Sequence, residues 1–281
     1  MQNPFNYTNY DLALKARDMR IDTLKMLAVA KSGHTAAPLG MADVFSCIYF
    51  KLMAYDATNM LVDERDRFVL SCGHYCPILY VSLAHAGIIS KDELPTLRSL
   101  HSRLQGHPHN LSCPGIENSS GPLGQGLSQA VGMALRAKLD HKDYKIFCVA
   151  SDGENQEGQF WEAIMSAAAF KLDNLYFIID NNNIEIDGLV EDIMPIQPLD
   201  RKYEAFNLDV FKMNGNNVDE IIYVMEESFA TGGDGKPKII ITKTIPGYGV
   251  PFMAGKYEWH GKPPSQKEAD EAIKCLLDES L

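Results

Sequence analysis

Two short stretches carry the groups best suited to hold a cation and an anion together: Ser151-Asp152-Gly153-Glu154-Asn155-Gln156-Glu157-Gly158 and Asp180-Asn181-Asn182-Asn183. A carboxylate from the first, an amide oxygen from the second and a backbone carbonyl make a hard oxygen set that suits Mg2+ or Ca2+. Such ions leave further positions for ligand phosphates. Gly153 lets the backbone approach a phosphate closely, and the start of a following helix offers unpaired N–H groups and a favourable dipole. Asp-Gly and Asn-Asn are also ordinary turn dipeptides, so the pair gains meaning only if the fold sets both stretches side by side.

A second set of groups is imidazole. Of the chain's 8 histidines, His34, His74, His107 and His260 stand next to a glycine in segments expected to be loops. Imidazoles that converge on a hydroxylated ligand can donate hydrogen bonds and carry protons near neutral pH. A lone loop histidine is more often a solvated surface group. His85, His101, His109 and His141 belong to no such pattern and are read as surface residues.

These loops need a scaffold that gathers them at one edge. Segment 11–32 carries apolar residues at helical spacing (Leu12, Ala16, Met19, Met26, Ala30) and runs to Gly33, a helix stop. Further helices are expected over 41–53, 77–85, 92–100 and 123–139, so the first half reads as helix-dominated. From Lys145 the pattern changes: Ile146-Phe147-Cys148-Val149-Ala150 is a continuous apolar run, as in a strand covered on both faces. A helix over 156–170, a strand over 175–179, a weaker strand over 209–212, a helix over 218–229 and a strand over 238–242 follow. That alternation predicts an α/β fold with a mainly parallel sheet and helices on both faces. Ligands then bind at the carboxyl ends of strands, on the loops after Ala150, Ile179 and Thr242.

With 281 residues and 46% hydrophobic content, the chain can bury one large core, and no linker divides it; a single domain over 1–281 with a helical N-terminal segment is expected. The formal net charge of -11 excludes a nucleic-acid or anionic-membrane surface, which needs a basic field. The 6 cysteines form no C-x-x-C pair and read as reduced thiols. The polar N-terminus and the lack of a long apolar run point to a cytoplasmic protein.

The stretch Asp152–Gly158, followed by Trp161-Glu162-Ala163, Leu172-Asp173-Asn174-Leu175 and Asp180-Asn181-Asn182-Asn183-Ile184-Glu185-Ile186-Asp187-Gly188, resembles the thiamine-diphosphate motif of transketolases. Upstream, Ser32-Gly33-His34-Thr35-Ala36-Ala37-Pro38-Leu39-Gly40-Met41-Ala42 resembles the signature S-G-H-P-G-A-P-L-G-M-A, with Thr35 and Ala36 replacing Pro and Gly. Ser71-Cys72-Gly73-His74, Gly106-His107-Pro108 and Gly121-Pro122-Leu123-Gly124-Gln125-Gly126 resemble further loops in the same order. Gly247-Tyr248-Gly249 and Trp259-His260-Gly261 are similar to the loop that carries another active-site histidine, so the likeness spans nearly the entire chain.

This resemblance implies a thiamine-diphosphate-binding fold with Mg2+ (or Ca2+) held by Asp152, Asn182 and the carbonyl of Ile184. It implies cofactor contacts from His74, Gly121, Pro122, Leu123, Gly153, Glu157, Asn182 and His260, and catalytic roles for His34, His107 and His260. Ser151 departs from the family's usual first Gly, and Glu157 and Glu162 resemble carboxylates near the cofactor and subunit interface, although a solvated helix face explains them equally well. The resemblance covers only the diphosphate-binding domain. The pyrimidine-binding domain, with the glutamate that activates the cofactor and the basic residues for a sugar phosphate, is then expected on a partner C-terminal subunit in an α2β2 assembly.

The implied activity is transfer of a two-carbon ketol unit from a ketose phosphate to an aldose phosphate. A branched sugar phosphate or a sulfosugar is the alternative donor, for which Thr35-Ala36 is the one local hint. The α subunit of a 2-oxoacid dehydrogenase shares the metal motif but not the Gly-His-Pro and Gly-Pro-Leu-Gly-Gln-Gly loops, and a non-catalytic paralogue is the remaining reading.

Overall fold

A computed structural model of the chain, describing residues 1–278, contains one five-stranded sheet. Its strands are β1 (Arg67–Leu70), β2 (Ile146–Ser151), β3 (Leu175–Asp180), β4 (Asp209–Asn214) and β5 (Lys238–Lys243), all parallel in the order β1-β2-β3-β5-β4. The interior strands β2 and β3 are buried along their whole length, and the edge strand β4 is largely half-exposed. Continuous apolar runs thus fill the middle of the sheet, where both faces must be covered.

The helices are α1 (Asn9–Ala30), α2 (Ala36–Gly40), α3 (Ala42–Cys47), α4 (Cys76–His85), α5 (Gly126–Leu139), α6 (Gly158–Ala169), α7 (Val190–Ile193), α8 (Leu199–Ala205), α9 (Val218–Ala230) and α10 (Gln266–Asp278). Alternate strand residues face opposite ways. Phe147, Val149, Tyr176, Ile178 and Ile240 pack with α1, α3, α4 and α9, while Ile146, Cys148, Phe177, Ile179 and Ile239 pack with α5, α6 and α8. The expected α/β fold with helices on both faces is the one observed. Among the described residues no helix is long and apolar enough to cross a membrane, and all six cysteines are free.

Several expectations need correction. The first half is not purely helical, because β1 pairs with β2. Only four residues long, it opens on a half-buried arginine and so lacks the apolar run that marks β2. Segment 92–100 is instead a 3-10 turn, Lys91–Thr96, after which the chain turns away through Arg98 at φ 59. The helix expected from residue 123 starts at Gly126, and α3 passes at Ile48 into a π-helical turn ending at Leu52. Unforeseen α10 lays Ala269, Ala272 and Leu276 against Ile21, Leu24 and Ala28 of α1. His85, read as a surface residue, has a side chain only 2% exposed that meets Asp22 at 2.8 Å.

α1 begins with a reciprocal cap: the Thr8 hydroxyl accepts from Asp11 N, and the Asp11 carboxylate accepts from Thr8 N at 2.9 Å. It ends with Lys31 in the left-handed region at φ 52, two residues before the expected stop. Gly33 serves a different need, since at φ 129 a Cβ would lie 2.5 Å from Leu27 Cδ2.

Candidate active site

The central strands end level with one another: Ser151 pairs with Asp180, and Asp180 with Thr242. The two stretches richest in oxygen donors therefore stand side by side. Asp152 is 1% exposed; one carboxylate oxygen accepts from Gly153 N at 2.9 Å and the other from Asn183 N at 2.6 Å. Asn182 is also buried; its Oδ1 accepts from Ile184 N at 2.9 Å and its Nδ2 donates to Asp180 at 2.7 Å. Asp180 further accepts from Tyr75 Oη at 2.7 Å and from the Thr244 hydroxyl.

Glycines let the surrounding loops close in. A Cβ on Gly73 would lie 2.6 Å from Ser120 Oγ, one on Gly124 would lie 2.9 Å from Glu157 Cβ, and one on Gly126 would lie 2.5 Å from Ser71 Cα. Glu154, fully buried, ties the same loops together. Its carboxylate accepts from the Ser71 hydroxyl, from Gly124 N at 2.8 Å and from Ser151 N at 2.8 Å.

Above this floor lies a cavity of about 430 Å3, lined by His34, His74, His107, His260, Gly121, Leu123, Gly153, Glu157 and Ile184, with Glu185 and Asp187 at its margin. His34, His74 and His260 form a tight cluster with ring centroids 4.9 to 5.4 Å apart. Clefts of about 640 and 550 Å3 open elsewhere, but neither is lined by a histidine, so size does not single out the site.

Burial acts on the two halves in opposite directions. It pushes His34 and His260 down from 6.5 to about 4, with His260 a further cause at His34, and it pushes His74 well below its ordinary value. His107, less buried, is lowered by desolvation and then by Arg98. Burial raises Asp180 to about 6, and burial followed by Asp180 raises Asp152 well above the usual carboxylate range.

The donors gathered here fit a divalent ion and a polar ligand. Asp152 is a buried carboxylate with no lysine or arginine paired to it among the described residues. One carboxylate, one amide and one carbonyl are hard oxygen donors. No cluster of three or more His, Cys, Asp and Glu side chains that could hold a metal is found among the described residues. His34 Nδ1, His74 Nε2, His260 Nδ1 and Ser120 Oγ are buried without a hydrogen-bond partner.

Some expected residues stand apart from the cavity. Asp152 lies beside the lining residues Ser151 and Gly153 without lining the cavity, Asn182 lines a separate cleft of about 250 Å3 with Asn183, Val190 and Thr244, Pro122 is exposed, and Glu162 is exposed on α6. Sequence reasoning missed Glu154, Tyr75, Asp180 and Thr244. Glu154 and Asp180 stand inside the two oxygen-rich stretches, but their burial and cross-chain partners depend on tertiary contacts; Tyr75 follows His74 directly.

The family described as transketolase, thiamine diphosphate binding domain, matches residues 12–276. One subunit of the apulose-4-phosphate transketolase of Actinobacillus succinogenes is 37% identical over 278 residues, covering 99% of this chain and 100% of that protein. The 6-deoxy-6-sulfo-D-fructose transketolase subunit SqwG of a Clostridium species is 40% identical, with 96% of each chain covered. The solved transketolase of Campylobacter jejuni superposes with a TM-score of 0.88 at 34% identity, over 95% of this chain and 43% of its own length. This chain thus spans less than half of that enzyme but nearly all of the two subunits. The family read from the loop signatures is borne out: the chain belongs to the transketolase family and carries its thiamine diphosphate binding domain.

Proposed function

We propose that this chain is the diphosphate-binding subunit of a transketolase-type transferase that passes a two-carbon ketol unit from a ketose to an aldose. The observation that carries the reading is the cluster of three imidazoles, His74 and His260 buried and His34 partly so, each with an orphaned nitrogen, beside a buried Asp152 carboxylate that has no ion-pair partner among the described residues. When bound, thiamine diphosphate supplies the carbon nucleophile that cleaves the ketose.

In this reading Asp152, Asn182 and the Ile184 carbonyl hold Mg2+ or Ca2+, and Gly153 meets the diphosphate. A Cβ at Gly153 would come no nearer than 3.7 Å to any neighbouring atom. The chain's own packing therefore does not require glycine there, whereas a close phosphate would. Gly121 and Leu123, with Pro122 outside them, flank the cofactor rings, and His74 and Glu157 line the same side. His34 and His260, held neutral at pH 7 by burial, can accept a proton from a substrate hydroxyl and return it. His107 is left to hold a donor hydroxyl.

The cavity lining contains Glu157, Glu185 and Asp187 but no lysine or arginine. Arg98, which acts on His34 and His107, is hydrogen-bonded to the Ser32 hydroxyl and the Gly106 carbonyl, so an anionic sugar lacks a counter-charge in the lining itself, which supports a partner subunit bearing the pyrimidine-binding domain; we place the two in a cytoplasmic α2β2 assembly. Two relatives matched over nearly their whole length are named as subunits, one for apulose 4-phosphate and one for 6-deoxy-6-sulfo-D-fructose. We extend to this chain the substrate class they share, a ketose with an anionic end.

The test is ketol transfer to an aldose phosphate with thiamine diphosphate and Mg2+, using this chain alone and with a candidate partner. Xylulose 5-phosphate, apulose 4-phosphate and the sulfosugar serve as donors. Activity in the mixture alone supports the reading and ranks the donors. Full activity from this chain by itself would overturn the division of labour.

A further inference from the structure

Thr35 directly follows His34 and is fully buried, and its hydroxyl donates to the carbonyl of Lys262, 2.7 Å away and 227 residues along the chain. Lys262 stands two residues beyond His260. Among the described residues, no other hydrogen bond joins 257–264 to any element outside 245–278. The rest of the attachment is packing: Trp259 lies against Phe252 at 5.8 Å and shares a buried cluster with Leu24, Ala36, Leu39 and Ile184, and the His260 ring stands 5.4 Å from those of His34 and His74.

Apolar burial is non-directional and tolerates sliding, while a hydrogen bond weakens steeply off its axis. The apolar bed thus keeps 257–264 attached, and the hydroxyl decides where it comes to rest. The resting place matters because His34 and His260 meet edge-on at 5.4 Å, and a Cβ on Gly261 would stand 3.8 Å from His34 Nε2. Proline, the signature residue at this position, carries no hydroxyl to donate.

We infer that the bond from Thr35 Oγ1 to the Lys262 carbonyl is a latch that fixes His260 against His34. Thr35 is then a positioning residue; its effect on turnover rests on the proposed role of that imidazole pair, while the latch itself rests on geometry alone. Thr35→Val removes the donor and keeps the shape, and Thr35→Ser keeps the donor.

Trp259 is one of only 2 tryptophans, so Trp161→Phe makes it the sole reporter of the segment. In that background Thr35→Val should shift Trp259 emission to the red and raise its quenching by acrylamide at least about twofold, with Thr35→Ser matching the parent. If far-UV circular dichroism shows that the valine variant does not fold, Thr35→Ala gives the same comparison. In the assembled enzyme, Thr35→Val should lower kcat about tenfold with less than about a twofold change in donor KM, and serine should restore it.

Unchanged Trp259 quenching in the valine variant overturns the latch, and so does a serine variant as impaired as valine. An assembled parent that transfers no ketol unit would instead overturn the proposed function, while Trp259 still decides the latch.

Discussion

The floor of the cavity is buried and its histidine wall nearly so, with His34 only partly covered, yet desolvation leaves the two needing different things. On the floor it raises Asp152 and Asp180, and neither has a cationic side chain beside it. Glu154 is raised too, but four donor groups converge on it, which makes it a strut between loops. On the wall, burial lowers His34, His74 and His260 and leaves a nitrogen of each without a partner. A cation can satisfy the floor by restoring its charge. The wall needs no charge, because a neutral imidazole is already the form that takes a proton. In the proposed reading, one desolvating environment prepares a receptor for a metal and a set of bases, and the residue type decides which.

The comparison breaks most sharply at Asp152. Asp152→Asn keeps the shape but removes the ionisable group and turns one of the two oxygens that accept from Gly153 N and Asn183 N into an NH2 donor. In EDTA, urea unfolding should find the variant less stable than the parent by about 1–2 kcal/mol, because one backbone N–H loses its acceptor. The same variant should lose Mg2+-dependent binding of thiamine diphosphate in calorimetry, by at least about 100-fold, and all ketol transfer with it. A variant that is less stable in EDTA and binds normally would mean that the floor is structural.

The wall should respond in the reverse way. His34→Gln leaves the floor untouched, so cofactor affinity should hold within about threefold while turnover in the assembled enzyme falls by about 100-fold or more. Loss of affinity without loss of turnover would move His34 from the substrate to the cofactor. Smaller again is Tyr75→Phe, which removes a hydroxyl that donates to Asp180 at 2.7 Å and accepts from Asn182 at 3.0 Å. Its cost should be about 1–2 kcal/mol in EDTA, and smaller in Mg2+ plus cofactor, where the floor has other partners. A thermal melt in each condition checks the difference.

The two regions also differ in how far the sequence discloses them. Asp152, Gly153 and Asn182 are legible because central parallel strands are marked by unbroken apolar runs, and the groups that follow such runs sit at the ligand edge. The histidines can be singled out only as loop residues beside glycine; that three of them share one cluster depends on which loops meet. β1, which carries Ser71 to His74 to the same edge, escapes notice because four residues opening on Arg67 do not form a pattern. His85 is misread for a related reason, since its partner Asp22 lies on another helix. Glu154 shows the limit most clearly: it stands two residues beyond Asp152, but its partners Ser71 and Gly124 are distant in sequence.

The smallest expected effect uses pH to set floor against wall within one measurement. His260 titrates near 6.5 when unfolded and is lowered to about 4 in the fold, so the unfolded state binds more protons between those values. Its contribution to stability is complete above about pH 6.5 and declines as the pH falls through that value. Asp180 has the opposite slope: raised from 3.8 to about 6, it favours the protonated fold as the pH falls through 6. The lowered imidazoles and the raised carboxyls oppose each other in the parent in EDTA between pH 7 and 5.5, so the difference made by removing one imidazole is the quantity to read. His260→Gln should lose about 1 kcal/mol less than the parent over that interval in urea unfolding. Equal losses would mean that His260 is solvated and protonated in the fold, and the wall would then no longer be a set of neutral bases. A larger loss in the variant would mean that the imidazole is charged and paired, which reverses the sense of the comparison at that residue.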